Sequence, residues 1–187
     1  MIWFWILTGI LALSAADEYI GPGRWLIISV EKCPEDEIYP INFEIAKKKV
    51  NRTHDGFHGS MVLNQALDDE FGINIDICKY VDGGCKQIQV LQDDCLCCFA
   101  RKYAKDNLER GLTLAGIDPP DCPIKQGSYE IKDFVIDYDE LPNNSIYGRF
   151  MARVELVGKA LNKPDTEVLG CIILNSEFNK CEDDEDE

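Results

Sequence analysis

The stretch CPIKQGSYEIKDFVIDYDELP, residues 122–142, decides the reading of this chain, because each part of it does a different physical job. Cys122-Pro123 ends one element and Gln126-Gly127 turns the chain into the next. From Tyr129 to Asp137 the composition is that of a strand, and Leu141-Pro142 breaks it. Beyond the break, YGRFMARVEL (147–156) belongs to an alternating strand expected over 146–157. Ile146, Gly148, Phe150, Ala152, Val154 and Leu156 share one face, and Tyr147, Arg149, Met151, Arg153 and Glu155 share the other. An apolar face opposite a charged one is what one sheet of a sandwich needs. LGCIIL (169–174) then sits in a last strand, 168–176, that is apolar on both faces.

Working outward, RWLIISVE (24–31) and IYPINFEI (38–45) have strand composition, with Pro40 at an edge or bulge. Residues 47–59 are polar and carry both histidines. In 71–80, Phe71, Ile73, Ile75 and Ile77 lie on one face, with Gly72, Asn74 and Asp76 on the other, which predicts a half-buried strand. Between Asp93 and Leu114 the period shifts towards helical spacing and the segment is rich in Ala, Lys, Arg and Glu. One substantial helix is expected there, capped by Asp93 or Asp94 and ended by Gly111 or Gly116 with Asp118-Pro119-Pro120.

The order of a Cys-Pro before a Gly turn, a Leu-Pro break, a long strand and a Leu-Gly-Cys-Ile strand resembles the ganglioside activator branch of the ML lipid-recognition family. It is most similar to the insect secreted members, which include chemosensory B-type proteins. The resemblance covers most of 78–178 and implies a mainly β, immunoglobulin-like sandwich, a cup whose splayed sheets admit lipid tails. It further implies disulfides joining Cys33 to Cys171, Cys78 to Cys85, and Cys122 to one of Cys95, Cys97 and Cys98, with Cys98 taken as the partner. On that basis Phe71, Ile73, Ile75, Phe134, Ile136, Phe150, Val154 and Leu156 are the expected lipid-contacting residues.

The residues also speak to compartment. Met1 to Leu13 is apolar apart from Thr8, and Ser14-Ala15-Ala16 precedes Asp17-Glu18, the pattern of a secretory signal over 1–16. Nine cysteines then read as a disulfide framework with one left over, and Cys181 is the candidate to stay unpaired or to link two chains. The sequons Asn51-Arg52-Thr53 and Asn143-Asn144-Ser145 mark Asn51 and Asn143 as glycosylation candidates in loops. Residues 17–181 are sufficient for one domain with a sizeable core. The chain carries a net charge of −15, of which the six acidic residues at 182–187 supply six as an expected disordered tail. Nucleic acid is thereby excluded as a partner.

Chemistry is sparse. His54 and His58 are the sole histidines, and no nucleophile elbow or metalloprotease helix accompanies them. The Cys95-Leu96-Cys97-Cys98 cluster lacks a second pair to complete a zinc site. No catalytic residue, metal or cofactor is expected. Two functions remain: a secreted carrier of a lipid or apolar semiochemical, for transport, presentation or recognition, or an extracellular interaction module docking through Arg149, Arg153 and the acidic tail. A receptor or lipid-processing enzyme would be the carrier's partner, with transient membrane contact.

Overall fold

In the computed structural model, which describes residues 19–34, 39–49, 55–158 and 167–181, the alternating segments build two antiparallel sheets. The larger contains β1 (Ile20–Lys32), β4 (Gly72–Val81), β5 (Gly84–Asp93), β7 (Asn144–Ile146), β8 (Gly148–Val157) and β9 (Val168–Lys180), in the order β5-β4-β8-β9-β1-β7. The smaller contains β2 (Asn42–Lys49), β3 (Asp55–Leu63) and β6 (Gly127–Phe134), in the order β2-β3-β6. The mainly β, two-sheet, disulfide-rich sandwich is therefore the observed architecture. The expected signal segment over 1–16, the acidic tail, Asn51 and His54 lie outside the described residues.

One end of the sandwich closes on Ile41, Leu63, Leu67, Phe71, Leu112, Ile124, Leu156 and Leu169. Near the other end Phe178, with no exposed surface, lies between Trp25 and Tyr147, and Trp25 also meets Phe150. Each group removes large apolar side chains from water, at about 1.5–3 kcal/mol per fully buried side chain.

Several boundaries differ from the sequence expectations for local reasons. The strand expected over 146–157 is two: Gly148 sits at φ 130°, where a Cβ would meet Cε of Lys79 at 3.0 Å, so the chain turns there. Ile146 consequently pairs with Ile20, while Phe150 pairs with Ser176. β6 stops at Phe134 rather than Asp137, because Asp133 adopts φ 56° beside a register shift opposite Phe57 and Gly59. The polar segment 47–59 is largely strand: β2 runs on to Lys49 and β3 begins at Asp55. Lysines on an edge strand leave its backbone pairing intact, and Lys47 donates to the carbonyl of Ile27. β5 is not among the strands expected from sequence, although Asp82-Gly83 makes a two-residue turn between Val81 and Gly84 and Ile88 and Val90 alternate with Gln87 and Gln89.

The single helix expected over 93–114 is two, α1 (Leu96–Tyr103) and α2 (Lys105–Leu114), broken at Ala104 with φ −155° and ψ 46°. Glu140 causes the break to be stable: its carboxylate accepts from the backbone amides of Asp106 at 2.7 Å and Asn107 at 2.8 Å, satisfying first-turn donors from outside the helix. Cys95, not Asp93 or Asp94, caps α1, and Asp93 instead accepts from the Cys95 amide.

Four disulfides form. Cys33–Cys171 and Cys78–Cys85 match the expectation, and Cys122 pairs within the cluster as expected, but with Cys97 rather than Cys98. Cys98 bonds Cys95. Helical spacing explains the correction, since Cys97 points into the core at 1% exposure while Cys98, one position on, faces water. Cys181 is free and exposed.

Candidate functional site

Cross-strand register arranges the inner face of the large sheet in rows. Ile73, Leu156 and Gly170 form the first; Ile75, Val154 and Ile172 the second; Ile77, Ala152, Leu174 and Val30 the third; Phe150, Ser176 and Ile27 the fourth. Two contacts put the small sheet over this face. The Phe43 ring lies against Gly170, and Lys47 reaches the Ile27 carbonyl. Ile45 lies between Phe43 and Lys47 in β2 and shares their face, so its row, Ile45–Gly59–Ile131, stands opposite the second and third rows.

Exposure follows the rows. The named residues of the first and fourth rows are buried, while Asp93 and Lys79 at the β5 and β4 ends of those rows are half-buried. In the middle rows Ile75, Ile77, Val154, Ile172, Leu174 and Val30 are only half-buried, as are Ile45 and Ile131 opposite them. These are aliphatic side chains on central strands, facing another sheet, yet in contact with solvent. The middle position of the opposing row, Gly59, has no side chain, and a Cβ there would lie 3.6 Å from Cγ1 of Ile45. These middle rows are aliphatic along their central strands, with Lys32 on β1 at the end of the second row and Lys79 on β4 beside Phe150 in the fourth.

The eight residues expected to contact lipid fall into four places. Ile75 and Val154 line the half-buried rows. Phe71 and Leu156 belong to the closed end with Ile73 beside them, and Phe150 belongs to the aromatic group at Trp25. Phe134 ends β6 against α2, 3.8 Å from where a Cβ on Gly111 would lie, and Ile136 follows it, half-buried. Sequence reasoning missed Ile172, Leu174, Ile45 and Ile131. The first two lie in a strand apolar on both faces, where alternation carries no phase; Ile45 was read as a strand end and Ile131 was left without a face.

The hollows are superficial. A cleft of 350 Å³ lies beside Trp25, Tyr138, Pro142 and Cys181, and one of 320 Å³ beside Ile117, Pro119, Pro123 and Tyr129. A groove of 230 Å³ crosses the outer face of the small sheet at Glu44, Ser60 and Glu130, close to His58. There His58 Nε2 is 3.1 Å from Asp133 Oδ1. Asn143 is exposed in the turn before β7, its carbonyl held by the Gly23 amide at 2.9 Å, leaving its side chain open to a glycan.

Charge sits elsewhere. On the outer face of the large sheet, Arg153 bonds Glu155 at 2.7 Å and Tyr39 at 2.9 Å, while Asn74 joins Glu155 to Gln92. Arg149 is 68% exposed. At α1, Arg101 bridges Asp121 and Asp69. The hydrogen bond from Arg101 and the Cys122 amide hold the Asp121 carboxyl below its ordinary range, and Asp121 in turn raises Arg101.

No helix among the described residues is long and apolar enough to cross a membrane. A scan of family models returns no match to this chain, and a search of curated proteins returns none.

Proposed function

We propose that this chain is a secreted, non-enzymatic carrier that holds a lipid or another apolar small molecule between its two sheets. The observation that carries the reading is the set of half-buried aliphatic residues in the middle rows, Ile75, Val154, Ile172 and Leu174, facing Ile45, Gly59 and Ile131 between buried ends. Aliphatic surface left wet inside a sandwich costs about 25 cal/mol per Å², which a hydrocarbon chain recovers on entry. The resemblance to the ganglioside activator branch agrees with it, and four disulfides agree with passage through an oxidising compartment.

Burying a sixteen-carbon chain is worth on the order of 12 kcal/mol gross at about 0.8 kcal/mol per methylene. Association and ordering cost about 4–15 kcal/mol. Micromolar, weakly selective binding follows, which suits a protein that delivers its cargo to a receptor or a lipid-processing enzyme. Of the two arginines the interaction-module reading needs, Arg153 is engaged by Glu155, and Arg149, though largely exposed, pairs with Glu177 at 3.5 Å.

Native mass spectrometry of the secreted protein, followed by solvent extraction, tests the proposal. Lipid released on denaturation, and lost in a folded Val154→Asp variant, is the expected result. An empty protein that stays empty after incubation with fatty acids, phospholipids and long-chain hydrocarbons would overturn it.

A further inference from the structure

The four disulfides are not equivalent in their surroundings. Cys33, Cys171 and Cys97 are buried, Cys78 is at 9% exposure, and Cys122 and Cys85 are half-buried. Cys98 alone among the bonded cysteines is exposed. Its partner Cys95 is half-buried three residues earlier, a C-x-x-C pair in which Cys95 caps the eight-residue helix α1 and its Sγ accepts the Cys98 amide at 3.0 Å.

We propose that Cys95–Cys98 is a thiol-exchange site that takes small-molecule thiols at Cys98. A thiolate RS⁻ attacks the exposed Sγ of Cys98, forming the RS–Sγ bond as the bond between the cysteines breaks, and Cys95 leaves with the electron pair as thiolate. A second RS⁻ attacks the mixed disulfide, releasing RSSR and the Cys98 thiolate. Two external thiols are oxidised, and the cysteine pair gains two electrons and two protons.

The geometry favours this direction of cleavage. A leaving thiolate at Cys95 already has the Cys98 amide pointed at it and stands at the positive end of a helix, which lowers a thiol's pKa and speeds its departure. The charges nearby are mostly carboxylates, with Arg101 shared between Asp69 and Asp121, so the amide and the helix end are what favour a thiolate. Asp69 has an oxygen within 4.8 Å of both sulfurs, but Arg101 binds that carboxylate at 3.3 Å, and Asp93 is engaged by the Cys95 amide. Opening the pair does not free the helix, because the buried Cys97–Cys122 bond still ties α1 to the chain before β6.

Glutathione redox buffers of graded ratio, applied to the full oxidised chain and quenched with an alkylating agent, provide the test by peptide mass spectrometry. Cys95 and Cys98 are expected to open at least about tenfold faster than the other six bonded cysteines, with near-ultraviolet circular dichroism retained. In Cys95→Ser a stable glutathione adduct is expected on Cys98. Cooperative opening of all four disulfides, or earlier opening of Cys78–Cys85, would overturn the proposal. So would a Cys95→Ser protein that carries glutathione on Cys181 and none on Cys98; if that variant does not fold, the titration of the native chain decides alone.

Discussion

Arg101 donates from Nε to Oδ1 of Asp121 at 2.8 Å, and so fastens α1 to the segment that carries Cys122, one residue from the buried disulfide between the same two elements. A covalent and an ionic tie thus act in parallel on a helix that supplies Leu96 to the edge of the core.

Because Asp121 is held below its ordinary range, its contribution is present above the unfolded carboxylate pKa of about 4 and is lost as pH falls through the lowered folded value. Half the side chain is exposed, so the effect is small, under about 1 kcal/mol. Urea denaturation of Asp121→Asn should show a deficit at pH 7 that shrinks in high salt and disappears near pH 2. A deficit unchanged by acid would show that the carboxylate charge is not its source.

Val154 and Leu63 contrast a half-buried row with the closed core. Leu63 is 1% exposed, so Leu63→Ala should cost about 2–5 kcal/mol. Val154→Ala should cost about 1 kcal/mol or less, since little packing is lost in a half-buried row. Comparable costs in chemical denaturation would mean that the middle rows are as tightly packed as the closed end.

Glu140 satisfies two amides and the Asn107 side chain at the start of α2. Glu140→Ala should therefore destabilise the fold by about 1–2 kcal/mol. Hydrogen exchange is expected to accelerate at Asp106 and Asn107 while β8 and β9 stay protected. Uniform acceleration across the sheets would assign Glu140 a global role instead.

Cys33–Cys171 spans 138 residues and Cys78–Cys85 spans 7. Loop-closure entropy makes the first worth about 5 kcal/mol and the second about 2. Paired alanine substitutions compared by thermal melting should show the larger loss for the long bridge. The reverse order would place the stabilisation in local hairpin geometry.

Much of this molecule is legible from local pattern. Alternation from Phe150 to Leu156 and from Phe71 to Ile77 assigned strands and faces, because a pleated backbone turns successive side chains to opposite sides. The even spacing of apolar residues there was unbroken by Gly148, whose role appears only where Lys79 approaches it. β5 and the lysine end of β2 were hidden, since edge strands bear polar residues and draw their order from a neighbour's backbone.

The sequence by itself determined a β sandwich with a disulfide framework, because residue periodicity and cysteine count are properties of the chain. Tertiary structure decided which cysteine of the cluster reaches Cys122, since that depends on which side of α1 faces the core. It also decided that Ile172 and Leu174 share the half-buried middle rows with Ile75 and Val154. An inward face can be read from alternation, but whether it meets its opposite closely or leaves a gap is set by the distance between two sheets, which no single strand encodes.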